Sequence, residues 1–236
     1  MPLLVEKRQL VLPGDTLAEG DFNPGENAYR EGGKIYASIV GLANIAGRNV
    51  YVVSMNSFYM PTVGDLVIGK VIDLRFSGWT IDIKAPYTAM LPTSEAFGRS
   101  FNSRRDEMSS YLDVGDLVIA KVVAFERNRD PQLMIRDGGL GKVERGRIIQ
   151  VMPTMIPRVI GRKGSMINLL TQETNTRITV GQNGVILVSG DKPDMEERAV
   201  KYLQMIEQEA HTEGLTDRVE ELLKEERRQK VEPTKE

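Results

Sequence analysis

The chain has 236 residues, of which 41% are hydrophobic and none is cysteine. This length permits one large domain or two to three small ones, and the hydrophobic content is sufficient for real cores. The absence of cysteine excludes disulfides, zinc–thiolate sites and thiol nucleophiles. Residues 1–12 mix charges with short apolar pairs and lack the continuous apolar run of a signal peptide or membrane span, so we expect a cytoplasmic location.

The charge balance argues against a protein that binds nucleic acid through its overall charge. The formal net charge is −2 and the isoelectric point is about 5.7. Phosphate contacts need local lysine and arginine, however, and one stretch is locally basic. Between Arg147 and Arg177 the only acid is Glu173, and the basic residues there are Arg147, Arg158, Arg162, Lys163 and Arg177.

The first part of the chain reads as a small β domain. Residues 12–27 are rich in Pro, Gly, Asp and Asn, which is typical of turns. Residues 34–41 and 49–54 then cluster Ile, Tyr, Val and Ser as short strands do. The sequence therefore predicts an N-terminal β domain over residues 1–62.

A near repeat marks the second part of the chain. VGDLVIGKVIDL begins at Val63, and VGDLVIAKVVAF follows Leu112. Different residues follow the two copies, so we interpret them as two strands of one barrel, each launched from a Gly-Asp turn. Five short strands between Asp65 and Arg136 fit a small OB barrel over residues 63–137. The stretch from Ser94 to Tyr111 is then a loop or short helix between strands.

The third part predicts a strand, a short helix, a Gly-rich loop, a helix, two strands and a helix over residues 143–210. Ser165 is the expected N-cap of the second helix. The last helix has an apolar face made by Met195, Ala199, Tyr202, Leu203 and Ile206. Residues 211–236 predict a docked helix followed by a charged, disordered tail.

The strongest functional signal is VIGRKGSMI, residues 159–167. A glycine-opened loop between two helices lets a nucleic-acid backbone approach closely, and two cations beside a helix N-terminus face its phosphates. A bare G-x-x-G is as readily a helix–helix turn, but the flanks and element order resemble a type I KH domain (βααββα). The resemblance implies RNA contacts from Arg158, Gly161, Arg162, Lys163, Gly164 and Ser165.

The barrel sequence resembles the OB domains first recognised as repeats in ribosomal protein S-one. Such barrels bind single strands with a basic groove and stacking aromatic rings. The family's usual aromatic position holds Thr80 here, and strand alternation places Trp79, Ile81 and Ile83 together in the core. The remaining candidates for base stacking are Phe76 and Tyr87. We also predict a cationic rim, and this prediction concerns the cluster as a whole because a single arginine is more often only a solvated charge. Its members are Arg75, Lys84, Arg99, Arg104, Arg105, Arg127 and Arg129.

Residues 20–42, and nearly the whole chain with them, resemble the RNA-binding cap subunit of archaeal-type exosomes that combines OB and KH domains. The resemblance implies a multidomain fold, mainly β with an α/β part. It implies three copies on a hexameric RNase PH-like ring, feeding single-stranded RNA to 3′-to-5′ degradation or tailing. Tyr29 and Arg30 are candidates for ring docking, with ordinary loop structure an equal alternative.

No reaction is expected of this chain. His211 is the only histidine and lies in a polar stretch, while the acids fall mainly at turns or on helical faces, so we expect no catalytic residues, no metal and no cofactor.

Polynucleotide phosphorylase carries KH before OB, and a chain without cysteine cannot build the zinc ribbon of the other exosome cap. The rival interpretation is a free-standing RNA-binding regulator or ribosome-associated factor.

Overall fold

A computed structural model describes residues 3–54, 58–97, 108–126, 128–208 and 218. The chain forms two compact units, Met1–Ser57 and Phe58–Glu236. Within the described ranges, no helix is both long and apolar enough to cross a membrane.

Over residues 3–54, the first unit has seven short strands in two sheets. One sheet has the order β1-β6-β7-β3 and the other β2-β5-β4. Leu17, Ile35 and Val50 are fully buried between strands, so alternation along each strand supplies the core. The strands are β1 Leu10–Val11, β2 Thr16–Glu19, β3 Asn23–Pro24, β4 Ala28–Glu31, β5 Lys34–Ala37, β6 Gly41–Ala46 and β7 Asn49–Ser54.

The second unit begins with the predicted five-stranded barrel, which is confirmed. A parallel pairing of β10 with β12 and an antiparallel pairing of β11 with β12 close the sheet on itself. Residues 58–62, which the sequence grouped with the N-terminal domain, lie with the barrel, where Tyr59 is buried in the core. The barrel elements are β8 Leu66–Arg75, β9 Gly78–Asp82, β10 Thr88–Pro92, helix α1 Thr93–Phe97, β11 Leu117–Glu126 and β12 Arg129–Met134.

The two copies of the repeat form one antiparallel pair, centred on Ile68 opposite Ile119. The amide of Gly64 donates to the Val122 carbonyl at 2.8 Å, and in the equivalent place Gly115 donates to Val71 at 2.8 Å. Each copy therefore uses its turn to start its own strand and to extend the pairing with the other. The repeat is explained by this local two-fold arrangement within one barrel.

The repeated aspartates of these turns have a structural role, as expected. Asp65 accepts hydrogen bonds from the Thr62 amide at 3.0 Å and the Tyr59 hydroxyl at 2.7 Å. Asp116 accepts from the Asp113 amide at 2.8 Å and from Lys142 Nζ at 2.5 Å. Lys142 belongs to a short strand, β13 Gly141–Lys142, that pairs with β11. Each carboxylate thus closes a turn and ties a neighbouring segment to the barrel.

The last domain has the predicted KH order, which is confirmed. A three-stranded antiparallel sheet of order β14-β16-β15 carries three helices on one face. Val159, Leu170, Val188 and Leu203 are fully buried in the layer between sheet and helices. The elements are β14 Arg147–Gln150, α2 Ile156–Ile160, α3 Ser165–Thr174, β15 Thr176–Val180, β16 Val185–Gly190 and α4 Pro193–Gln208.

One helix cap was predicted wrongly. Ser165 is the first residue of α3, and the residue before it, Gly164, has a left-handed backbone with φ of 79°. No side chain caps this helix. The sequence also placed a helix and tail over residues 211–236; apart from Arg218, these lie outside the described residues.

The turn between β15 and β16 docks on the barrel through a buried asparagine. Asn183 is only 3% exposed, and its Nδ2 donates to the carbonyls of Ile68 at 2.8 Å and Ile83 at 2.9 Å. Its Oδ1 accepts from the Ile68 amide at 3.3 Å, while the Gln182 amide donates to the Leu66 carbonyl at 2.7 Å. The barrel and the KH domain therefore share a polar, water-excluded seam.

Replacing Asn183 by alanine should destabilise the second unit by about 2 kcal/mol. The change leaves buried backbone groups of Ile68 and Ile83 without partners, and such groups cost about 1–3 kcal/mol. Urea denaturation of the whole chain measures the change. Gln182→Ala, which alters an exposed side chain on the same turn, is the matched control and should change stability little. Equal stability of the two variants would contradict a stabilising role for the asparagine.

Acid should weaken the Asp116 turn. The hydrogen bond from Lys142 and that from the Asp113 amide lower the pKa of Asp116 below its ordinary value of 3.8. A carboxyl whose pKa is lowered by folding contributes stability above the unfolded pKa, and that contribution disappears as the pH falls through the folded pKa. The stability difference between wild type and Asp116→Asn should be constant above about pH 5 and shrink below pH 3.8. Denaturant titrations across this range test it, and a constant difference down to pH 2 would contradict it.

Candidate nucleic-acid interface

The loop between α2 and α3 depends on a glycine that has no room for a side chain. Gly161 has φ of 75° and ψ of 174°. A Cβ on this residue would lie 2.7 Å from the amide nitrogen of Met166 and 2.8 Å from its Cβ. Only glycine therefore allows α3 to start this close to the end of α2.

The middle of the same loop presents two cations to solvent. Arg162 and Lys163 are exposed, and Lys163 has a left-handed backbone with φ of 53° and ψ of 29°. Neither side chain has an ion-pair partner in the part of the chain that the structure describes. Arg158, in the last turn of α2, and Ser165, at the start of α3, are also exposed. The structure thus brings the six predicted loop residues together around the uncapped N-terminus of a ten-residue helix.

Apolar side chains flank this loop and were not singled out from the sequence. Ile160 and Ile167 are partly buried, and both pack on the KH core from either side of the loop. The exposed part of each is an apolar surface next to the two cations of the loop. The signal was present in VIGRKGSMI, where one isoleucine stands on each side of the G-x-x-G loop.

In the barrel, Trp79 occupies the core as predicted. Trp79, Ile81 and Ile83 are fully buried on one face of the sheet. The indole Nε1 donates to the Leu112 carbonyl at 2.8 Å, and the ring meets Phe97 edge-on at a centroid distance of 5.7 Å. This ring is therefore not available for base stacking.

Thr80 points to the opposite face, where the S-one family usually has an aromatic ring. It lies between Asp73 on β8 and Met90 on β10 in register, and it is 6% exposed. A buried threonine next to an aspartate gives no platform for a base. The outer face at this position does not support stacking.

The two predicted stacking residues of the barrel differ in accessibility. Phe76 lies in the turn between β8 and β9 and is 95% exposed. Tyr87 is partly buried and packs edge-on against Phe125 at 5.2 Å. Phe76 is therefore the ring that is free to meet a base.

The predicted cationic rim is partly engaged with carboxylates. Arg75 pairs with Asp73 at 3.5 Å, and Lys84 pairs with Asp82 at 2.9 Å. Arg129 is exposed at the start of β12. The other predicted members, Arg99, Arg104, Arg105 and Arg127, lie outside the described residues.

The two candidate docking residues of the first unit make internal contacts in strand β4. Tyr29 stacks on Tyr36 of β5, with ring centroids 5.6 Å apart. The Arg30 guanidinium donates to the carbonyls of Gly20, at 3.0 Å, and Phe22. Both residues are exposed yet hold the strand in place, so a structural role accounts for the contacts of each.

The described residues contain no group of three or more His, Cys, Asp or Glu side chains placed to hold a metal ion. The histidine considered from the sequence, His211, lies outside them. The recurring barrel aspartates, Asp65 and Asp116, accept hydrogen bonds within their turns.

Three sequence families match consecutive parts of the chain. The profile described as the exosome RNA binding protein RRP4 N-terminal domain matches residues 8–56. The profile described as the RRP4 S1 domain matches residues 58–124, and that of the KH domain matches residues 147–205. The three matches follow the order of the two compact units and of the two domains in the second.

Whole-chain relatives agree with these matches. The exosome complex component Rrp4 of Methanothermobacter thermautotrophicus is 43% identical over 94% of this chain and 70% of its own length. That of Thermofilum pendens is 42% identical over 94% of both chains. A crystal structure provisionally described as an exosome complex RNA-binding protein aligns with a TM-score of 0.68 and 42% identity, covering 74% of this chain and 99% of the other. The chain belongs to the Rrp4 family of exosome complex components.

Proposed function

We propose that this chain is a non-catalytic RNA-binding cap subunit of an exosome. It captures single-stranded RNA and delivers it to a phosphorolytic RNase PH-like ring for 3′-to-5′ degradation or tailing. The single observation that carries RNA binding is the exposed, cationic loop Gly161–Gly164 at the N-terminus of α3. Family membership supports the exosome as the setting.

At the loop, recognition is of the RNA backbone. The absence of side chains at Gly161 and Gly164 lets the sugar-phosphate chain approach the peptide backbone, and Arg162 and Lys163 neutralise its charge. The N-terminal end of α3 carries a partial positive charge that also favours phosphate. Bases then lie towards Ile160 and Ile167, whose apolar surfaces accept any of the four.

The barrel contributes differently from an S-one domain with a stacking face. Thr80 leaves the strand face without a ring, so Phe76 at the turn is the barrel's contact for a base. Arg75 and Lys84 each bind a phosphate only in competition with Asp73 or Asp82. We therefore assign the larger share of the affinity to the KH loop.

Delivery depends on arrangement around the ring. We propose that the first unit docks on ring subunits, with Tyr29 and Arg30 at that interface, and that three copies surround one entrance. Several weak sites around one entrance raise the effective concentration of RNA, so modest affinity for each copy suffices. A net charge of −2 is compatible with this function because the phosphate path needs to be positive only locally. A cytoplasmic location is part of the proposal.

Reversing the loop charges should weaken RNA binding. We expect Arg162→Asp with Lys163→Asp to reduce affinity for a 12-nucleotide single strand by about tenfold or more, with a flatter salt dependence, because each phosphate contact contributes about 0.7 to the logarithmic salt slope. Fluorescence anisotropy at several salt concentrations measures both. The control, Lys7→Asp with Lys192→Asp, makes the same charge change at exposed lysines outside the loop. An affinity equal to that of wild type would mean that the barrel, and not the KH loop, binds the RNA.

The chain should join a ring and should not degrade RNA by itself. We expect it to co-elute at high mass with an RNase PH-like pair in size-exclusion chromatography, and to leave labelled RNA intact alone with phosphate or a divalent metal. Elution as a separate small species would favour a free-standing regulator. Shortening of the RNA by the purified chain alone would contradict a non-catalytic role.

A further inference from the structure

Another cleft lies in the same unit, at the edge of the KH sheet where β15 and the end of α3 meet the segment that leaves the barrel. Its volume is about 660 Å³. One wall is the segment that joins barrel to KH domain, including Leu140 and Arg145, and the other is β15 and β16, including Arg177 and Leu187. We call it the linker cleft.

The linker cleft is distinct from the KH loop. None of residues 158–165 lines it. Its nearest part of α3 is Thr171, close to the end of a helix that begins at Ser165. Thr171 lies six residues after Ser165, which is about 9 Å along the helix, so loop and cleft are separated by roughly the first two-thirds of α3.

Two exposed arginines line this cleft. Arg145 and Arg177 are exposed, and neither has a carboxylate partner among the residues described. A Cβ added to Gly139 would lie 3.5 Å from Nη2 of Arg177, so this guanidinium lies beside the joining segment. Lys142 also lines the cleft but is bound to Asp116. The two arginines are thus the cations open to a ligand.

The rest of the lining has the chemistry of a nucleotide site. Ile119, Leu140 and Leu187 supply apolar surface, and Thr179 and Ser189 supply hydroxyls. Glu144 and Asp191 also line the cleft, and carboxylates accept hydrogen bonds from the amino groups of bases. Arginine side chains bind phosphate and stack on bases, and pockets of this size hold small ligands. A simple anion would not explain the acids, whereas a nucleotide uses both signs of charge.

We propose that the linker cleft binds a nucleotide of the same single-stranded RNA that the KH loop holds. The inference rests on the proposed function and adds a second contact to it. The phosphate of this nucleotide is bound by Arg145 and Arg177, and its base lies over the apolar wall. A strand of 12 nucleotides, even stacked at about 3.4 Å per nucleotide, exceeds the length of α3 and reaches both places.

The experiment uses the full chain and a 12-nucleotide single-stranded RNA. Arg145→Glu with Arg177→Glu should weaken binding by about tenfold or more and lower the logarithmic salt slope by about 0.7, the value for one phosphate contact. Lys7→Glu with Lys192→Glu makes the same change in net charge outside the cleft and should have a much smaller effect. Urea denaturation of each variant verifies that both remain folded.

A second measurement locates the RNA on the unaltered protein. RNA carrying photoreactive 4-thiouridine at every position should cross-link to the peptide containing residues 139–145, and mass spectrometry identifies that peptide. The cross-link should persist at a reduced level in Arg162→Asp with Lys163→Asp, because the cleft retains its own contacts.

The outcomes distinguish a failure of this inference from a failure of the proposed function. If wild type binds RNA and loses affinity only through the KH loop, with no cross-link in residues 139–145, the linker cleft is not an RNA site and the proposed function stands. If wild type binds no RNA, both proposals fail. Equal weakening by the cleft variant and its charge-matched control, again without the cross-link, also overturns the cleft.

Discussion

The second unit depends on one buried polar contact, the docking of Asn183 against the barrel. β9 ends at Asp82, and the side chain of Asn183 then satisfies the backbone of Ile68 and the carbonyl of Ile83. Ile68, Ile119, Val185 and Leu187 form a hydrophobic cluster beside it. Because unmatched polar groups in such a seam are costly, the asparagine specifies one orientation of the KH sheet on the barrel. The linker cleft follows from that orientation, because one of its walls is the segment that joins barrel to KH domain.

Local electrostatics explain how an acidic chain presents a site for RNA. In the barrel, cations are placed next to acids, as in Arg75 with Asp73 and Lys84 with Asp82. In the KH domain, Arg162 and Lys163 stand in a stretch of 31 residues, 147–177, with one acid, Glu173. Screening limits exposed charges to a range of about 10 Å, so what matters to a phosphate is the neighbourhood of the loop. Net charge carries little information about such a protein.

The sequence predicted the parts of the fold that depend on local pattern. Alternation placed Trp79, Ile81 and Ile83 in the barrel core, and the element order with its G-x-x-G loop predicted the KH fold. The misplaced cap at Ser165 has a physical cause: Lys163 and Gly164 adopt left-handed backbones, and the position of such a kink depends on the packing of α3 against α2. The ion pairs of Arg75 with Asp73 and of Lys84 with Asp82 join residues two positions apart, so the acids beside these cations were a signal in the sequence. The cleft with Arg145 and Arg177 instead depends on segments that are distant in sequence, which no spacing along the chain reveals.

The two proposed contacts, the KH loop and the linker cleft, lie in one compact unit, which suits the proposed delivery of a strand that is held and yet moves. A single tight site would retain RNA, whereas two weak sites on the same strand bind together with an effective concentration set by the short path between them. Each contact can then release and rebind while the other holds. The backbone-directed chemistry of Gly161–Gly164 fits such movement, because each successive phosphate offers it the same ligand. The seam at Asn183 is what keeps the path between the sites short and constant.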